Sequence, residues 1–118
     1  APGALVSPLS PASIKRLPNS ADLIAVYNDH SGRFPFVAGM RTPLAAAISR
    51  DGGRTWPVAR LIESDTTSWY HYTALHATGD ALLVAYNAGN DRMAKFTSPL
   101  RIRRIALATL SRGKAVER

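Results

Sequence analysis

The chain has 118 residues, 46% of them hydrophobic and 19% charged, the composition of one ordinary globular domain rather than of a disordered or fibrous protein. It carries a formal net charge of +7 and no cysteine, so neither a disulfide framework nor a thiolate metal site is available. Its apolar residues fall in short blocks bounded by Pro, Gly, Asn and Asp, far below the roughly 20 residues of a membrane-spanning helix, and none is expected.

Taken in chain order, the sequence predicts strands over Ser13–Leu17, Leu23–Asn28, Leu44–Arg50, Val58–Glu63, Tyr70–Thr78, Ala81–Asn87 and Ile102–Leu110. The linkers 18–22 and 78–80 are rich in turn residues and join their strands as hairpins, so neighbouring strands should pair antiparallel. Ala45, Ala46 and Ala47 favour a helix by propensity, but Pro43 before them and Asp51-Gly52-Gly53 after them leave little room for one. A buried strand whose small side chains let a neighbour approach is the better reading. Two longer links, 29–43 and 88–100, are of a length that in compact β domains often serves function. No stretch keeps a helical apolar period over three turns, and the fold class is all-β.

The strands divide into four over Ser13–Glu63 and three over Tyr70–Leu110. Each group carries an apolar run ending in Tyr-Asn, at Tyr27-Asn28 and at Tyr86-Asn87, about 59 residues apart. That spacing is long for a propeller blade of roughly 40–50 residues, and the two long loops account for the excess.

Ser49-Arg50-Asp51-Gly52-Gly53-Arg54-Thr55-Trp56 matches the Asp-box pattern Ser-x-Asp-x-Gly-x-x-Trp at its four defining positions, Ser49, Asp51, Gly53 and Trp56. The chemistry suits a hairpin. Asp51 can accept hydrogen bonds from turn amides, Gly53 can take positive φ, and Trp56 can cover the turn with apolar area. In proteins that carry this box it sits on the outer rim of a propeller blade, so it reports fold and not catalysis.

With the runs 10–18, 22–28, Arg41-Thr42-Pro43-Leu44 and Tyr72-Thr73-Ala74-Leu75, the chain resembles the C-terminal part of the sialidase superfamily, from about residue 7 to about residue 110. The resemblance implies about two four-stranded antiparallel blades of a six-bladed β-propeller. Residues 11–63 would be the penultimate blade with its Asp-box, 70–110 the last blade lacking its outer strand, and 111–118 a basic tail. It further implies exo-hydrolysis of terminal sialic acids. In that chemistry arginines clamp the substrate carboxylate and a tyrosine attacks, because a phenol meets less repulsion from a carboxylate-bearing carbon than an Asp or Glu would.

Carried over to this chain, Arg41 stands where the family's third arginine binds the carboxylate, its planar fork suited to that group. Tyr72 stands at the nucleophile, in Tyr72-Thr73-Ala74-Leu75 at the start of the last blade's innermost strand. Tyr70 is the neighbouring aromatic, and an ordinary strand tyrosine is the bland alternative for either. His30, in the loop after Asn28, is a possible glycan contact. The family's other arginines, its acid/base aspartate and its assisting glutamate have no match here, and Glu63 and Glu117 do not stand where that glutamate would. Tyr72 and Arg41 alone cannot run the reaction, which needs an acid as well as an activated nucleophile. The isolated chain is therefore expected to be inactive as an enzyme.

A non-catalytic glycan-binding propeller, assembled by self-association through open blade edges, and an inactive structural fragment are the alternatives. The expected partner is a sialic-acid-like glycan. The cations Arg101, Arg103, Arg104, Arg112, Lys114 and Arg118 crowd the C-terminal stretch, but no aromatic follows Phe96, so nucleic-acid binding is not expected. No membrane partner, cofactor or metal is expected either. Among the histidines, His71 and His76 fall on opposite faces if strand alternation is strict, and nothing completes a metal site. The N-terminus, Ala1-Pro2-Gly3-Ala4, lacks an initiator Met and a signal-peptide pattern, which reads as a processed or excised chain. The cellular address is open, although members of the family it resembles are often secreted or periplasmic.

Overall fold

The computed structural model describes residues 5, 12–18, 20–38, 40–66, 68–90 and 100–111. They form β1 (Ser13–Arg16), β2 (Leu23–Asn28), β3 (Leu44–Ser49), β4 (Val58–Glu63), β5 (Ser68–Ala77), β6 (Ala81–Asn90), β7 (Leu100–Ala106) and one short helix, α1 (Leu107–Ser111). The strands build a four-stranded sheet, in order β1-β2-β3-β4, and a three-stranded sheet, in order β5-β6-β7, antiparallel throughout.

The alanine run is a strand, as its flanking turns require. Ala45 and Ala47 pair with Tyr27 and Ala25, and both alanines are wholly buried. The last expected strand ends earlier than predicted. Residues 107–111 coil into α1, and the Leu107 amide donates to the Asp80 carbonyl at 2.9 Å. Leucines three apart share one helix face, so Leu107 and Leu110 both meet the core, whereas strand alternation would have sent one of them to solvent.

The core lies between the sheets. Ile24, Val26, Ala46, Ile48, Val58 and Ile62 of the first sheet meet Leu82, Val84, Tyr86 and Ile105 of the second. A second cluster, Ala25, Tyr27, Ala47, Trp56 and Ala59, covers the far face of the first sheet. The two Tyr-Asn motifs expose how the sheets are related. Tyr86 points into the intersheet core, toward the first sheet, whereas Tyr27 points to the far face, away from the second. The two motif tyrosines thus look the same way along the stack. Two sheets facing each other across a two-fold axis would turn both tyrosines inward.

Candidate functional site

Antiparallel pairing gathers like connections at like ends. The turn 18–22, the Asp-box and the turn 78–80 lie at one end of the stack. The ends of β2, β4 and β6 and the starts of β3, β5 and β7 lie at the other, with the long loop 29–43.

At the first end the Asp-box closes β3 onto β4. The Asp51 carboxylate accepts from the Thr55 amide at 2.9 Å, the Thr55 hydroxyl at 2.6 Å and the Ser49 hydroxyl at 2.8 Å. Ser49 Oγ in turn accepts from the Gly53 amide at 2.8 Å, and Gly52 and Gly53 take φ of 76° and 94°. The Thr55 hydroxyl and amide, with Ser49, hold the Asp51 carboxyl down at about 2. Trp56 donates from Nε1 to the Gly53 carbonyl at 3.2 Å and lays its ring on the far-face cluster. All of this serves the hairpin.

The opposite end holds the residues that the sequence singled out. Asn28, buried at the end of β2, donates from Nδ2 to the carbonyls of Pro43 at 3.2 Å and Tyr70 at 3.0 Å, tying the end of the long loop to the second sheet. Arg41 is half-buried, and its carbonyl accepts from the Tyr70 amide at 2.7 Å. Its neighbour Thr42 donates through Oγ1 to the Asp65 carbonyl at 2.8 Å. His30 donates from Nε2 to the Thr42 carbonyl at 2.9 Å and stacks on Phe36 with ring centroids 4.5 Å apart. His30 therefore braces the Arg41–Thr42 segment.

Tyr72 lies on β5, inside a bulge between the His71–Asn87 and Ala74–Ala85 pairs. Its side chain lies outside what the structure describes. The backbone brings Arg41 to within one hydrogen bond of Tyr70, two residues before Tyr72. The same bulge overturns the strict alternation assumed for the histidines: His71 pairs with Asn87 and His76 with Leu83, four residues apart on β6, so the extra residue shifts the phase between them. Among the described residues no group of three or more His, Asp or Glu could hold a metal ion, and no helix is long and apolar enough to cross a membrane.

A second constellation at this end escaped the sequence. Glu63, Asp65, Ser68, Tyr70, Ala88, Gly89 and Arg101 line a cleft of about 220 Å³. Tyr86 Oη and Arg101 Nη1 both donate to Glu63 Oε2, and Ser68 Oγ donates to Asp65 Oδ2 at 2.9 Å. Burial pushes the Tyr86 hydroxyl up, reinforced by the Glu63 carboxylate, so it is a proton donor across the neutral range. Burial likewise raises Tyr70, opposed by its bond with Ser68 and aided by the Glu63 and Asp65 charges. No sequence pattern links Glu63 with Arg101, 38 positions on. The only signal was that Glu63 closes an apolar run and Arg101 opens a basic one.

The basic stretch is correspondingly less available than its sequence suggests. Arg101 pairs with Glu63, Arg103 donates to the Ile62 carbonyl at 2.6 Å, and Arg104 approaches Asp80 at 3.3 Å. The residues of the basic tail from 112 onward lie outside the described part.

No family model, curated protein or solved structure matches the chain.

Proposed function

We propose that the two sheets are adjacent blades of a sialidase-like β-propeller, and that the end bearing Arg41 and Tyr72 is the chain's share of a site for sialic-acid-like glycans. Arg41 would hold the substrate carboxylate and Tyr72 would attack, with the acid/base group and the other arginines coming from other blades. The observation that carries this reading is the same-way orientation of Tyr27 and Tyr86, which suits blades and not a two-fold sandwich. The asparagines that follow support it. Asn28 bonds across to the Tyr70 carbonyl of the next sheet, while Asn87, its counterpart in the repeat, sits half-buried on the open face of the second sheet.

One observation favours a non-catalytic glycan-binding module instead. The carboxylates of Asp29 and Glu63, at the same end, are already engaged by Arg33 and Arg101.

Binding of a methyl α-sialoside to the chain, followed by amide chemical shifts, tests the site. Shifts around Arg41 that saturate, and that Arg41→Ala abolishes, are the expected result. Saturable binding elsewhere, or binding indifferent to Arg41→Ala, would overturn it. Turnover of a fluorogenic sialoside that Tyr72→Phe removes would favour the enzyme over the binding module.

A further inference from the structure

We propose that the cleft between the β4–β5 connection and the strands β6 and β7 binds a neutral vicinal diol, as presented by an uncharged pyranose. The proposal goes beyond the sialoside site and does not require it, since Arg41 is not among the described residues that line this cleft.

Size comes first. A volume of about 220 Å³ is below the roughly 300–1,000 Å³ of drug-sized pockets, and suits one ring-sized unit. Ala88, Gly89 and the buried Tyr70 supply the apolar part of the lining, giving a sugar's C–H face something to rest on.

The polar groups then select the ligand. Tyr86 and Arg101 both donate to Glu63 Oε2, which fixes the carboxylate and leaves Oε1 as the acceptor for a ligand hydroxyl. A guanidinium has five N–H donors in a fixed fork, so Arg101 has others to offer beside the one on Glu63. Adjacent hydroxyls of a diol each donate one bond and accept another. They therefore bridge a carboxylate–guanidinium pair, one hydroxyl donating to Glu63 and its neighbour accepting from Arg101. Such groups are already held in place, so little ordering cost falls on binding.

Charge then weighs on the rivals. Among the described lining residues Glu63 and Asp65 stand against one guanidinium, which disfavours an anionic sugar. An ammonium group would use only the carboxylates and would compete with Arg101 for Glu63. A neutral polyol uses both signs.

The test titrates the whole chain with methyl β-D-galactopyranoside and follows amide chemical shifts, with cyclohexanol as a ring of similar size that lacks the diol. Saturable shifts at Ser68, Gly89 and Arg101 with a Kd of the order of 1–10 mM, and none with cyclohexanol, are expected. Glu63→Gln should weaken binding at least about tenfold, because it removes a charge-assisted acceptor. Asp65→Asn, at an exposed residue, serves as a second variant if Glu63→Gln disturbs the fold; it should weaken binding by about threefold. Absence of saturation, shifts outside the cleft, unchanged affinity in Asp65→Asn, or tighter binding of a sialoside or of ethanolamine in this cleft would each overturn the proposal. A negative galactoside arm leaves the Arg41 site standing, and a negative sialoside arm at Arg41 leaves the diol cleft standing.

Discussion

The central strands of the first sheet are covered on both faces, whereas among the described residues the second sheet is covered on only one. In β3 every residue is buried, and in β2 only Leu23 is not, whereas β6 alternates between buried and half-buried positions, and β7 leaves Leu100 and Ile102 about two-thirds exposed, at 66% and 65%. The difference comes from a loop. Asp29, fully buried, accepts from the Ser31 amide at 2.8 Å and the Tyr27 hydroxyl at 2.9 Å and pairs with Arg33, which reaches on to the Trp56 carbonyl at 3.1 Å. That chain of bonds draws Phe34 over the far face of the first sheet beside Trp56. Among the described residues the second sheet has no such cover. Strands of similar composition are thus finished to different degrees by what their connections do.

Breaking the cover is expected to have the largest effect. Asp29→Ala removes the buried acceptor shared by the Tyr27 hydroxyl, the Ser31 amide and the Arg33 guanidinium and should cost about 3–5 kcal/mol in urea unfolding. Cost near zero would mean that the loop merely rests on the sheet. Next comes a matched pair in the sheets themselves. Ala47→Leu, in the doubly covered sheet, should lose about 1–3 kcal/mol to overpacking, while Ala85→Leu, on the open face, should stay within about 0.5 kcal/mol. Equal losses would erase the contrast.

The second sheet has one tight place that sharpens the comparison. A Cβ at Gly89 would stand 2.6 Å from the Trp69 indole nitrogen, so Gly89→Ala must displace that ring. A loss of about 1–2 kcal/mol with altered near-ultraviolet circular dichroism is expected; an unchanged spectrum would show that the indole does not rest there.

The Asp-box supplies a pH test confined to the first sheet. Asp51 is held near 2, below its ordinary 3.8, so its contribution to stability is complete above about 4–5 and disappears as pH falls through about 2. A carboxyl titration midpoint near 3.8 would show that the Thr55 and Ser49 bonds do not form in solution. The smallest effect belongs to the open face. Ile102→Thr should change stability by less than about 0.5 kcal/mol, measured by thermal unfolding.

Much of this architecture was readable from local pattern. The seven strands, their grouping into four and three, and the hairpin at Ser49–Trp56 each depend on neighbours within a few residues, where turn chemistry and period-two alternation speak directly. The helical turn at Leu107–Ser111 was not readable, because its reason is the intersheet core that Leu107 and Leu110 reach. Strict alternation failed at Tyr72, where a bulge adds one residue to β5. Arg41 and Tyr72 were nominated by motif alone. The cleft groups Glu63, Asp65, Tyr70 and Arg101 were dispersed over nearly forty positions, and only the stacking of one sheet on the other assembles them.

The amino-acid sequence alone determined that the chain is antiparallel β with an Asp-box turn, since those features follow from side-chain period and from glycines placed where positive φ is required. Tertiary structure decided which way each sheet faces, which face stays open, and that Glu63 meets Arg101 and Tyr86. Those outcomes depend on contacts between residues distant in sequence, which packing selects and local propensity does not encode.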